Sequence, residues 1–229
     1  TGILLVGLIF YFLIDGLVAW IVLGIAFILF MKILLDIITI KYKIRFPEFR
    51  PNRNDDKGFF DLIRLRTSCR SFQTKKLEKN DFNELMESVQ QNLAEPKFST
   101  GKIRFEYISN PIRVWPTVNA TEFLVAIAPK EYNRLTIVEV GRILQKIVID
   151  ATRMGLATCW IGPGADHRSI TSQLGGRFDS EKDNVICVCA IGYKSKYVPL
   201  FIKIFSQKMR KRLSLDSLFF NTHKMDTSI

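Results

Sequence analysis

Histidine is nearly absent from this chain: His167 and His223 are the only two in 229 residues. Two isolated histidines cannot build most metal centres or a Ser-His-Asp constellation, so both classes are disfavoured. Cysteine is scarce too. Cys69, Cys159, Cys187 and Cys189 contain no Cys-x-x-Cys pair and no zinc-ribbon spacing. They do not form a disulfide framework, which suits a reducing compartment. Cys187 and Cys189 alternate within Val185-Ile-Cys-Val-Cys-Ala-Ile191 and read as small side chains on one face of a strand. Glycine (13) and proline (8) are too few for a collagen-like or linker-dominated chain. No GxxxxGK followed by Ser or Thr occurs, and no GxGxxG follows a strand. This argues against a P-loop ATPase and a Rossmann dehydrogenase.

The chain does have apolar residues, at 48%, enough to bury a core and to exclude overall disorder. They are unevenly spread, with one charge in the first 31 residues. The organisation expected is a transmembrane segment (1–40), a basic linker (41–56) and one domain (57–229). Gly2–Ile14 is apolar, Asp15-Gly16 interrupts, and the apolar pattern resumes from Leu17 to Ile40 with Lys32 and Asp36 inside it. Leu17–Ile40 as a helix spans roughly 36 Å, enough for a bilayer, whereas Gly2–Ile14 reaches only about 20 Å. Two arrangements fit. One is a hairpin turning at Asp15-Gly16, a turn signal. The other is one long helix with Asp15 paired to partners. A cleaved signal peptide fits poorly, because the apolar stretch is long and lacks a basic start. Lys41, Lys43, Arg45, Arg50 and Arg53 follow and place the domain on the cytoplasmic, matrix or stromal side. The same residues suit anionic headgroups, with Pro47 and Pro51 stiffening the linker.

Within the domain, Phe59–Leu65 reads as a short helix. Asn80 is placed to cap a helix carrying Phe82, Leu85, Met86, Val89 and Leu93. Val140, Ile143, Leu144, Ile147, Val148 and Ala151 recur at helical spacing and mark a core helix. Ile103–Ile108, Phe123–Ala128 and Val185–Ile191 read as strands, Leu156–Ile161 as a turn into another strand, and Asp166 as the cap of a helix ending at Gly175-Gly176. Regular strand–helix–strand units are not evident, so an α+β or three-layer arrangement is expected.

Three stretches carry candidate chemistry. Arg66-Thr-Ser-Cys-Arg-Ser-Phe72 offers two guanidinium groups and hydroxyls able to hold a phosphate or a polar ring edge. Gly155-Leu-Ala-Thr-Cys-Trp-Ile-Gly-Pro-Gly164 ends in a turn whose backbone a flat ligand can approach. Between Tyr193 and Arg212 lie seven basic residues and no acid. A solvated face, a membrane-facing patch and a cofactor phosphate site all remain open for that stretch. Its aromatic residues are not interleaved in a nucleic-acid-binding pattern, so no nucleic acid is expected.

In this order the three stretches resemble the nitroreductase-like FMN-dependent flavoprotein family. Arg66-Thr-Ser-Cys-Arg-Ser-Phe72 resembles its opening R-R-S-x-R-x-F. Ala151-Thr-Arg-Met-Gly-Leu-Ala-Thr-Cys-Trp-Ile-Gly162 is similar to its A-x-x-L-G-L-G-T-C-W-x-G. Ala190-Ile-Gly-Tyr193 and Arg210-Lys-Arg-Leu213 resemble its closing segments. The resemblance implies an α+β three-layer sandwich, a central mostly antiparallel sheet flanked by helices. It also implies bound FMN, usually at the interface of an intertwined homodimer, with NAD(P)H as electron donor. By the same resemblance, Arg66, Thr67, Ser68 and Arg70 would contact the phosphate, ribityl chain or pyrimidine edge. Ile161, Gly162, Pro163 and Gly164 would line the isoalloxazine, and Arg210 and Arg212 would reach the phosphate. The activity implied is ping-pong electron transfer through flavin to a nitroaromatic or quinone-like acceptor. The sequence departs from the family where P-S-x-x-N-x-Q-P-W is usual. Pro96-Lys-Phe-Ser-Thr-Gly-Lys-Ile-Arg-Phe105 keeps Ser99 but not the Asn, Gln or Trp, and Ala157 replaces a glycine. A second role therefore stands beside the first: a structural subunit of a membrane complex in an organelle (a mitochondrial or plastid inner membrane), with weakened flavin binding. The intramembrane Asp15, Lys32 and Asp36 favour protein partners as well as lipid.

Overall fold

The computed structural model describes residues 2, 5–7, 16–96, 98, 101–162 and 164–209. Helix α1 runs Gly16–Asp36 and continues as a π-helical turn over Ile37–Lys41. Most of its large apolar side chains face outward, with Trp20 67% and Phe27 64% exposed, while Ala19 and Ala26 are buried. Val18–Lys41 is long and apolar enough to cross a membrane. A Cβ added at Gly7 would lie 3.0 Å from Leu23 Cδ2. In one straight helix these residues would stand about 24 Å apart. Gly7 and Leu23 therefore do not share one straight helix, which fits the hairpin and not the single long rod. Asp15 lies outside the described residues.

The domain then builds α2 (Phe59–Leu65), α3 (Lys79–Ala94), β1 (Arg104–Ile108), β2 (Glu122–Pro129), α4 (Arg134–Arg153), β3 (Ala157–Ile161), α5 (His167–Leu174), β4 (Asp183–Gly192) and α6 (Leu200–Met209). The strands form one antiparallel sheet in the order β1-β2-β4-β3. The strand β2 is apolar throughout because both of its faces are covered. Leu124 and Ala126 pack with Ile143, Leu144 and Ile147 of α4 and Leu85 of α3. Phe123, Val125 and Ile127 pack with Ile161, Val188, Ile170 of α5 and Phe72. Each fully buried Leu or Ile contributes roughly 2 kcal/mol of transfer free energy. Helices, sheet and a third layer of α5 with loop segments give the expected α+β sandwich.

Local chemistry explains the boundaries. Asn133 caps α4 by accepting from Thr136 N at 3.2 Å, so that helix begins a turn and a half before the periodic stretch. Asn80 does not cap α3; Glu78 holds that place and Asn80 lies in the first turn. Gly155 ends α4 with φ +79°, and a Cβ there would meet Asn52 O at 2.5 Å. Glycine is required twice over at this point, by conformation and by contact.

That contact reveals what the linker does. It is strapped to the domain. Asn54 N donates to Arg153 O at 2.7 Å, and Gln73 Nε2 donates to Phe49 O at 2.9 Å. Of the arginines expected beside lipid headgroups, Arg45 and Arg53 pair inside the linker with Glu48 and Asp55, while Arg50 and Arg53 reach Glu78, Asp81 and Glu84 of the domain.

Candidate functional site

The Arg66–Phe72 stretch leaves α2 and runs extended beside the sheet. Cys69 N donates to Thr158 O at 2.8 Å, Phe72 N to Val118 O at 3.1 Å, and Ser195 N to Ser71 O at 3.0 Å. Ser68 bridges Thr158 in parallel register, so the stretch covers the free edge of β3. Five of its residues, Thr67 to Ser71, line a cleft of about 40 Å³ with Lys194, Ser195, Ile202 and Ser206. The sequence-predicted Thr67, Ser68 and Arg70 thus meet in one place. Arg66 is not in that lining, but it and Arg70 both act on the Cys159 thiol. Burial pushes that thiol up, and the two guanidinium groups, Arg70 first, oppose the rise.

The glycine turn lies farther along β3. Thr158 is beside Ser68, and Ile161 is about 10 Å onward at the rise of a strand. The Ile161 side chain is buried in the core, so only its backbone is available to a ligand. Gly162 is exposed, and among the described residues other than its chain neighbours no atom lies within 4 Å of the place a Cβ would take. Gly164 is different. A Cβ there would stand 2.0 Å from Trp115 O, and Gly164 O accepts from Trp115 N at 2.8 Å. Packing alone requires that glycine. Pro163, Arg210 and Arg212 lie outside the described residues.

The structure adds residues that the sequence reading passed over. Val118 N donates to Arg70 O at 2.9 Å, which lays Thr117 and Asn119 beside the arginine stretch. Arg70 Nε, Thr117 Oγ1 and Asn119 Nδ2 are buried without a hydrogen-bond partner among the described residues. Buried donors in that condition are uncommon and cost about 1–3 kcal/mol each, unless something else meets them. Asn119 has φ +57°, a conformation that Asn tolerates better than most residues. It stands next to Val118, whose backbone joins the Arg70 stretch, in a segment other than Pro96–Phe105, where the family pattern has its amides. Phe205 of α6 was also missed. Its ring centroid is 5.6 Å from Arg70 Cζ and 5.4 Å from the Trp115 ring centroid.

For FMN, the lining offers the Arg70 guanidinium, whose Nε is buried without a partner among the described residues, the Lys194 ammonium and the hydroxyls of Thr67, Ser68 and Ser71, a set that suits a phosphorylated, polar-edged ligand. The donor set fits. The free space does not yet match the donors: ligand sites generally run to about 300 Å³ or more, and α6 leaves about 40 Å³ here.

Residues 59–229 match the family model described as "Putative TM nitroreductase". That is well over half of the chain, and the protein belongs to the nitroreductase family. Solved structures agree on the fold. A nitroreductase family protein from Clostridium difficile 630 superposes with TM-score 0.53 at 17% identity, covering 72% of this chain and 98% of its own. A nitroreductase in complex with FMN from Desulfovibrio desulfuricans gives TM-score 0.51 at 15% identity, covering 72% and 97%. A mutant form of an FMN and NADPH-dependent nitroreductase from Sphigopyxis sp. strain HMH gives 0.53 at 11%, covering 73% and 100%. No curated protein matches the sequence.

Proposed function

We propose that this protein is a membrane-anchored, FMN-dependent oxidoreductase that uses NAD(P)H. The observation that carries the reading is the buried Arg70 Nε, without a hydrogen-bond partner among the described residues, in a cleft also lined by Thr67 and Ser68, within a nitroreductase-family chain. Similar solved structures described as FMN complexes or as NADPH-dependent support it. FMN, when bound, supplies two-electron transfer from NAD(P)H to a nitroaromatic or quinone-like acceptor. The chain's own task is to bind and orient. Arg66 and Arg70 offset negative charge, the Thr67 and Ser68 hydroxyls offer hydrogen bonds, and Gly162 leaves open space for a flat ring. Arg210 and Arg212 are proposed as further phosphate contacts, and Ile161, Pro163 and Gly164 as backbone lining. No side-chain nucleophile is needed for such chemistry.

One observation favours a second reading. Ile202 and Ser206 of α6 narrow the cleft, and Phe205 lies over Arg70. A chain that keeps this arrangement binds flavin weakly and serves as a structural subunit of a membrane complex. The absorbance spectrum of the detergent-purified protein separates the two. Oxidised-flavin bands that bleach with NADH or NADPH support the oxidoreductase; a colourless protein that stays colourless after incubation with FMN supports the subunit.

A further inference from the structure

The strap leaves the membrane-proximal face short of its expected positive charge, since Arg45, Arg50 and Arg53 are paired with carboxylates. Other cations stand in that place. A groove of about 570 Å³ opens between the end of α1 and the start of α6, and Lys32, Asp36, Lys194, Lys196, Tyr197 and Lys203 line it. Asp36 is already engaged: it accepts from Lys32 and from Leu200 N at 2.8 Å. Lys194, Lys196 and Lys203 are exposed, and none of their ammonium groups is in an ion pair among the described residues; the nearby Glu48 carboxylate is taken by Arg45, Ser195 and the Lys196 backbone N–H. Four lysines against one neutralised aspartate make a site for an anion.

Depth decides which anion. A hydrocarbon core of about 30 Å, measured from Val18 at 1.5 Å per residue, ends close to Ile38. Asp36 and Thr39, which line the groove, therefore stand where acyl chains give way to headgroups. Lys32 lies deeper and suits a snorkelling stem. Phe201 and Ile204 are exposed on α6 beside this level, at 55% and 52%. Both apolar and cationic surfaces thus face the interface from one end of α6.

We propose that this groove holds the phosphate headgroup of an anionic phospholipid, with Lys194, Lys196 and Lys203 as its cationic wall. The site fixes the domain against the bilayer surface. It gives Lys194, Lys196 and Lys203 a role separate from any flavin phosphate. The proposal rests on the membrane-anchored part of the reading above and is independent of flavin.

The test uses the full chain in lipid nanodiscs and neutral detergent. Native mass spectrometry counts lipids retained when phosphatidylglycerol or phosphatidylcholine is titrated in. The wild type is expected to retain one phosphatidylglycerol in preference to phosphatidylcholine. The triple variant Lys194→Gln/Lys196→Gln/Lys203→Gln should weaken that binding about a hundredfold. A control with the same charge change far from the groove, Lys102→Gln/Lys130→Gln/Lys182→Gln, should bind as wild type. Equal loss in both variants, or no loss in the first, overturns the proposal. Inorganic phosphate at millimolar concentration should not displace the lipid; displacement overturns the headgroup assignment. Carbonate extraction of membranes checks the anchor separately. Wild type released by carbonate refutes the anchor, whereas wild type retained without lipid preference refutes the groove alone.

Discussion

The guanidinium carbon of Arg70 sits 5.6 Å from the centre of the Phe205 ring, although the two residues come from opposite ends of the domain sequence. Ile202 and Ser206, on either side of Phe205 in α6, help narrow the cleft that Arg70 lines to about 40 Å³. Phe205→Ala should therefore enlarge the cleft and raise FMN affinity by about tenfold. The ring is half-buried, so its removal should also cost about 1–2 kcal/mol of stability, less than full core truncation. Fluorescence titration of FMN and a thermal melt on the same sample check both effects.

Asp81 is fully buried in α3, where it accepts from Arg50 and from Tyr193 Oη. Arg50→Ala removes a main cation from that carboxylate and loosens the strap. The expected loss is about 2 kcal/mol, below the usual cost of breaking a buried pair because Arg50 is partly exposed. Limited proteolysis should also cut faster between residues 41 and 56. An unchanged melt and an unchanged digestion rate would contradict the strap.

The acid limb of the stability curve should carry the Arg104–Asp183 pair. Arg104 donates to both Asp183 oxygens, at 2.9 and 2.5 Å, and holds that carboxyl at about 2, below its ordinary 3.8. A depressed carboxyl stabilises the fold above the unfolded value and loses that contribution as pH falls through the folded one. Asp183→Asn should therefore melt lower than wild type at neutral pH, and the gap should close between about pH 4 and 2. A gap constant across that window would refute the assignment.

Ile147 is fully buried between α4 and the sheet. Ile147→Ala should cost about 2–5 kcal/mol through lost burial and the cavity left behind. Chemical denaturation with an unchanged m-value would mark the loss as one of packing.

Much of this was legible in the sequence because apolar spacing carries it. Val140 to Ala151 recurs at helical spacing and becomes the α4 core. The continuous run Phe123–Ala128 becomes a central strand covered on both faces. Thr67, Ser68 and Arg70 were readable as a cluster because they are adjacent. Asn119 and Phe205 were not, since each reaches the Arg70 stretch through tertiary contact with no local signal. The strap was hidden for a similar reason. A run of arginines beside an apolar segment reads as lipid-facing until the partner carboxylates, Asp81 and Glu84, are seen to come from a distant helix.

The central claim is that the Arg70 cleft binds FMN, and one titration tests it most directly. FMN fluorescence should quench saturably at one flavin per chain with the detergent-purified wild type. Arg70→Ala should weaken that binding at least about tenfold, the loss expected for one charge-assisted contact. Identical curves for the two proteins, or no quenching by either, would contradict it.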